Sequence, residues 1–466
     1  MIPRLSIAPP DRQIEPAARA AFGDALSCNG NGACFNFDAD DAMCPSWKVT
    51  RDRRHSPKGR AGLVREWLRL LARQGVDPSA GHGEPSWLTL PRRAWHSLRA
   101  RCGEPDFSHE VKAAMDGCLA CKSCVGQCPV KVDVPAFRAR FLAAYHGRYL
   151  RPPRDWLLSL LESLLPVAAY VPALYNGVVS SGPGRMLLRS CGLVATPRLT
   201  GLRPEPSLAR LGVKTATPDA IGRLSPEERG RSLVLVQDAF TGYFETRLLI
   251  DLARVAQALG YIPWLAPYKP NGKPLHVTGR LAAFARAAAR NAAMLKALET
   301  SGVPLVGLDP SMTLTYRSEY RSALGEAAPQ VLLPQEWLLR ALAGRARPAR
   351  LGREFQLLPH CTERTNAGSA ADDWKSVFAV FGARLDILPS GCCGMAGTYG
   401  HEATKRDLSE RIYQMSWAPI VARAGRQGRL MATGYSCRSQ AKLIDAIELK
   451  HPIQVLTALV EAGSGP

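Results

Sequence analysis

No stretch of this 466-residue chain is apolar for long enough to cross a bilayer. The richest, Trp156 to Val179, is broken by Glu162, Pro166, Pro172 and Asn176, and a spanning helix needs roughly 20 uninterrupted apolar residues. It reads as buried or interfacial helices. The opening MIPRLSIAPPDRQIEP lacks the apolar core of a signal peptide and any twin arginine. Also missing are a GxGxxG turn after a strand, a Walker loop and a nucleophile elbow, so no flavin or nicotinamide site is visible. GPGRML, from Gly182, reads as a turn. Disorder and collagen-like repetition are excluded by a composition that is 46% apolar and 21% charged. Carboxylates are scarce, Asp+Glu 40 against Lys+Arg 60, a formal +20. Such a balance suits an acidic partner, nucleic acid or an anionic membrane surface, and is silent on fold.

What the chain does have is cysteine. There are thirteen, an odd number in clustered spacings that fit metal sites better than a disulfide framework. Free thiolates point to a reducing compartment, so the expected location is cytoplasmic, with peripheral contact to the inner membrane as the alternative. Cys118, Cys121, Cys124 and Cys128 follow the spacing C-x2-C-x2-C-x3-C and precede Pro129. Three thiolates so spaced reach three corners of an iron–sulfur cube, and the fourth normally ligates a second cluster. Zinc sites instead favour paired CxxC units set far apart. Upstream, Cys28, Asn31 and Cys34 keep the spacing with asparagine at the second position, and Cys44-Pro45 follows after a longer loop. By the crossed rule, Cys44, Cys118, Cys121 and Cys124 hold one 4Fe-4S cluster. Cys28, Cys34 and Cys128 offer only three thiolates to another, which is incomplete, completed by Asn31 or water, or empty.

The chain divides by texture. Residues 1–150 hold eight of the cysteines and read as helical, with a clear amphipathic helix at Ala61–Gln74. Residues 151–228 read as helices joined by Pro- and Gly-rich turns. From 229 on, strands and helices alternate in two copies, 229–345 and 346–466, implying a parallel sheet in each. Strands are expected at Ser232–Gln237, Tyr261–Leu265 and Val303–Leu308, then at Phe355–Leu358, Arg384–Leu388 and Arg429–Thr433. In the second copy, Cys361, the pair Cys392-Cys393 and Cys437 follow the three strands in turn. Their thiols should therefore meet at the carboxyl edge of the sheet, where helix N-termini lower thiol pKa. Soft thiolates there accept iron–sulfur or zinc. The corresponding places in the first copy, Asp238, Pro270-Asn271 and Met312, carry no thiol. Cys102 and Cys191 read as buried small side chains, and His360 and His401 as structural histidines. The basic stretches RDRRHSPKGRAGLVREWLR and PRRAWHSLRAR lack base-reading motifs, so no nucleic acid is expected and a solvated or docking face is the better reading.

These motifs, with HCTERTN, SGCCGMAGTYG and TGYSCRSQ, resemble the C-terminal iron–sulfur half of bacterial FAD-linked D-2-hydroxyacid dehydrogenases of the D-2-hydroxyglutarate type. Related modules occur in glycolate oxidase, anaerobic glycerol-3-phosphate dehydrogenase and heterodisulfide reductase. The resemblance implies an α+β multidomain protein: an α-helical ferredoxin-like domain, a helical linker region, a degenerate CCG-type α/β repeat and a cysteine-retaining CCG-type repeat. It also implies an oxidoreductase component that carries electrons from a flavoprotein subunit or domain to a quinone or soluble carrier, with FAD only on that partner or missing domain. Cys361, Cys392, Cys393 and Cys437 match the CCG pattern. The alternative is thiol–disulfide chemistry like that of heterodisulfide reductase, although Gln440 stands where that family's closing CxxC has its second cysteine. Without the flavoprotein half, the chain is expected to be a separate subunit or a truncated product.

Overall fold

A computed structural model describes residues 9–79, 86–194, 196–345 and 352–462. The first eight residues of the leader reading and the boundary at 346 lie outside the described residues. Among those described, no strand precedes Lys214, and the amino-terminal region consists of helices joined by loops, the longest of which, 27–44, carries Cys28, Cys34 and Cys44. Its anchor is the helix Pro57–Arg73, capped by Ser56, whose side chain accepts from the Gly59 N–H. Val64, Trp67 and Leu68 on one face of that helix are buried and join a core with Phe22, Met115, Phe137 and Phe141. Trp67 packs edge-on against both Phe22 and Phe141.

Two parallel sheets follow. The first contains β1 (Lys214–Thr215), β2 (Ser232–Val236), β3 (Ile262–Leu265), β4 (Leu305–Gly307) and β5 (Val331–Leu332) in the order β1-β3-β2-β4-β5. The second contains β6 (Arg353–Leu358), β7 (Ala383–Ile387) and β8 (Leu430–Ala432) in the order β7-β6-β8. All of their pairings are parallel. The six strands expected from sequence are therefore present, each with its helical crossover, and the architecture is α+β with helices in the majority. Two corrections apply. β1 falls inside the stretch read as purely helical, and β5 was not expected. Each is two residues long, too short to show the alternation that reveals a strand.

The two sheets share one core. Leu235, Leu249 and Val306 of the first copy belong to the same buried cluster as Leu357, Trp374, Phe378 and Leu456 of the second. The copies also match at one unusual residue. Gly272 and Gly394 both have φ of 84°, in the left-handed region that L side chains avoid. Each follows the second strand of its copy at the edge where the thiols gather.

Candidate functional site

The two halves of the ferredoxin-type pattern are far apart in sequence and meet through helix packing. One cavity is lined by Cys44, Cys118, Cys121 and Cys124, together with Ser46 and Arg60. A neighbouring cavity is lined by Cys28, Asn31, Cys34 and Cys128, with Cys124 on their common border. Cys124 apart, the cavities divide these cysteines along the same line as the crossed rule. The loops that aim the thiols are strained. Cys44, Ala120 and Lys122 have φ of 37°, 55° and 57°, a conformation costly for any residue with a Cβ and concentrated at functional sites. Pro45 starts the helix Pro45–Thr50 immediately after Cys44, where its missing N–H costs nothing.

Asn31 lines the second cavity with its side chain engaged on its own loop. Its amide is spent on the loop, donating to Asn29 Oδ1 at 2.7 Å and accepting from the Ala33 N–H at 2.9 Å. The second set thus keeps three thiols. Burial pushes the Cys34 thiol up, as it does Cys44 and Cys124. Arg60 was not singled out by the sequence because it lies in a basic run. It is only 1% exposed, and its guanidinium donates to Ala114 O at 2.9 Å, Ser46 Oγ at 3.0 Å and Cys44 Sγ at 3.5 Å. Among the described residues it makes no ion pair.

The third constellation is a ladder of thiols, buried except for the half-buried Cys121. The thiols neighbour one another in turn along it, Cys121 beside Cys361, Cys361 beside Cys392, Cys392 beside Cys393, and Cys393 beside Cys437. The expected gathering at one sheet edge is present, and it begins on the ferredoxin-type loop. Cys121, Cys361, Cys392 and Cys393 line a cavity of about 90 Å³, as do His360, Arg138, Arg154, Lys273 and Lys405. The expected lowering of thiol pKa is not observed. Cys361 does start a helix, Cys361–Asn366. The preceding thiol lowers Cys361, Cys392 and Cys393, but the following thiol, burial and the neighbouring sulfurs together outweigh it and push all three well up, while Cys361 and then burial push Cys121 well up. His360 caps that helix, its Nδ1 accepting from the Thr362 N–H at 3.2 Å. Cys102 is exposed and Cys191 half-buried, contrary to the reading of both as buried. Each terminates a surface helix, Leu90–Arg101 and Gly182–Ser190.

In the first copy the same edge is closed by a carboxyl. Gly272 N–H donates to Glu162 Oε2 at 2.7 Å, where the equivalent Gly394 N–H points at Cys392 Sγ at 3.3 Å. A left-handed glycine after a strand makes a small anion-accepting nest, filled by glutamate in one copy and by sulfur in the other. Alignment on the helix caps also corrects one equivalence. Asp238 corresponds to His360, so Ala239 stands opposite Cys361.

Burial raises the Glu162 pKa from its ordinary 4.5 to about 7, with Asp238 adding and Gly272, Asn271 and Lys273 opposing. The folded chain therefore holds this proton to higher pH than the unfolded chain does. Its contribution to stability falls as pH rises from about 4.5 to about 7, by roughly 1.4 kcal/mol per unit, and is flat above that window. Glu162→Gln, which carries no titrating proton, is expected to gain about 2.4 kcal/mol relative to the parent between about pH 5 and about pH 7.5. Urea unfolding at both pH values checks this; a variant-to-parent difference independent of pH refutes it.

Among the described residues no group of three or more His, Cys, Asp or Glu side chains is disposed to hold a metal ion. The thiol sets are defined by the cavities they line.

A D-2-hydroxyglutarate dehydrogenase of Pseudomonas putida is 51% identical over 450 residues, 96% of this chain and 44% of the relative. One from Escherichia coli is 45% identical over 466 residues, 97% of this chain and 45% of the relative. This chain is a homologue of bacterial D-2-hydroxyglutarate dehydrogenases. It spans less than half of their length. One subunit of the anaerobic glycerol-3-phosphate dehydrogenase of Escherichia coli is 26% identical over 227 residues, covering 47% of this chain and 56% of that subunit. No family model matches the chain, and no solved structure does.

Proposed function

We propose that the chain is the C-terminal iron–sulfur part of an FAD-linked D-2-hydroxyacid dehydrogenase, acting on D-2-hydroxyglutarate or a D-lactate-like acid. It would carry electrons from a flavin held outside this chain to a quinone or soluble carrier. The observation that carries this reading is the pair of adjoining cavities, one lined by Cys44, Cys118 and Cys121, the other by Cys28, Cys34 and Cys128, with Cys124 lining both. Their donor chemistry fits: thiolates are the usual ligands of such cubes, and hydrogen bonds, charge and burial set the potentials. When bound, the clusters would supply one-electron steps between a two-electron flavin and the acceptor.

The chain's own residues join the two thiol sites. Cys121 lines both the four-thiol cavity and the larger cavity that holds Cys361, Cys392 and Cys393. An iron–sulfur group fits this second set better than a disulfide enzyme's site. Gln440, at the missing cysteine position, is fully buried and donates to Ser409 Oγ at 3.0 Å.

Anaerobic reconstitution with iron and sulfide, followed by EPR of the reduced chain, tests the reading. The expected result is a brown protein with a cubane signal that Cys118→Ala abolishes. Asn31→Cys is expected to complete the second set, adding a signal that interacts magnetically with the first. A colourless product without acid-labile sulfide refutes the proposal, as does hydroxyacid turnover by the flavin-free chain.

A further inference from the structure

Two segments of this basic chain contain no carboxylate at all. Residues 86–103 hold four arginines and no Asp or Glu, and residues 163–204 hold another four and again none. Both segments expose large apolar side chains. Trp87 is 81% exposed, and Trp95 and Leu98 follow it on the helix Leu90–Arg101. On the second segment Tyr170 is 72% exposed and Met186 73%. The first segment packs beside the stretch that leads into the helix Pro153–Ala168, because the Leu150 N–H donates to Ser97 Oγ at 2.8 Å and Leu150 is itself exposed.

The helix Pro153–Ala168 links this surface to the thiol cavity. Trp156, Leu160, Leu164 and Val167, spaced by three or four residues on one stripe, are exposed. Arg154, Asp155 and Leu158, on the other side, line the cavity that contains Cys361, Cys392 and Cys393. The helix Gly182–Ser190 then carries exposed Met186 and Leu187 between exposed Arg185 and Arg189. Among the described residues neither arginine makes an ion pair. No helix of the described residues is long and apolar enough to cross a membrane.

We propose that this face lies on an anionic lipid surface. Apolar side chains with interleaved cations and no carboxylate are the composition of helices that lie in the headgroup region. Tryptophan and tyrosine prefer that depth, and each cation near an anionic leaflet adds to binding. Carboxylates, which such a leaflet repels, are absent from both segments. A protein partner of mixed charge gives no reason for that absence. The consequence that the cavity then meets a lipid-soluble acceptor rests on the electron-transfer reading; the lipid contact does not.

Flotation of the purified chain tests it, using vesicles of phosphatidylcholine alone and of phosphatidylcholine with phosphatidylglycerol. The chain is expected to float with the anionic vesicles and to detach as salt is raised. Met186→Glu with Leu187→Glu, at solvent-exposed positions, should weaken partitioning at least about tenfold with an unchanged urea midpoint. Arg185→Gln with Arg189→Gln should remove most of the preference for phosphatidylglycerol. Absence of flotation, or flotation unaffected by both pairs, overturns the proposal. So does a self-association, or a complex with a flavoprotein part, that the Met186/Leu187 pair breaks while vesicles go unbound. None of these outcomes touches the iron and sulfide content, so loss of the lipid contact is distinguishable from loss of the electron-transfer reading.

Discussion

Gly126→Val is expected to loosen the helical amino-terminal region from the α/β part and to lower stability by about 3 kcal/mol, near the upper end of the usual cost of overpacking. Gly126 lies in the helix Ser123–Gln127, against the helix Cys361–Asn366. A Cβ there would run into the backbone carbonyl of Thr365, and backbone cannot swing aside as the far end of a flexible side chain can. The contact matters because it registers Cys121 against Cys361. Thr362 Oγ1 donates to Cys121 O at 2.9 Å, and Arg364 Nη2 donates to Asp40 O at 2.9 Å. Gly391, one residue before the cysteine pair, makes a second close approach, to the carbonyl of Ala39. Urea unfolding of parent and variant measures the loss, and limited proteolysis shows whether the junction opens. A variant with the parent's midpoint and cleavage pattern removes the argument that these glycines hold the thiol ladder together.

That junction explains why the sequence revealed the parts of this site more readily than their arrangement. Thiol spacing is a local property, so the division into Cys44, Cys118, Cys121, Cys124 and Cys28, Cys34, Cys128 could be read directly. The same holds for six strands with clear apolar runs, and for the two copies, whose matching glycines lie at equal distances after helix ends. The meeting of Cys121 with Cys361 could not be read, because it depends on two helices 240 residues apart approaching at Gly126. Arg60 was hidden for a related reason. A run such as RDRRHSPKGR looks solvated by composition, and only the packing of Ser46, Ala114 and Cys44 around the guanidinium distinguishes it from its neighbours. The thiol pKa directions reversed because helix N-termini act over one turn, whereas burial and four neighbouring sulfurs act together.

Arg60→Met is expected to lower the midpoint potential of the proposed cluster at Cys44, Cys118, Cys121 and Cys124 by on the order of 100 mV. The sign follows from charge. Burial works against the Arg60 guanidinium, while the Cys118 and Cys44 thiols favour it and the pKa is raised overall. With no carboxylate beside it, this cation's counter-charge must come from sulfur, and a buried cation without one costs several kcal/mol. Reduction adds negative charge to the same pocket, so the cation favours the reduced form and methionine removes that preference while filling similar volume. A unit charge a few ångströms away, at an effective dielectric near 20, contributes roughly 2–4 kcal/mol, and about 1.4 kcal/mol corresponds to 59 mV for one electron. An EPR-monitored redox titration of reconstituted parent, Arg60→Met and Arg60→Lys separates charge from packing. Lysine should hold the potential near the parent's value and methionine should lower it. Equal potentials in all three would mean that the guanidinium serves the fold through Ala114 and Ser46 alone.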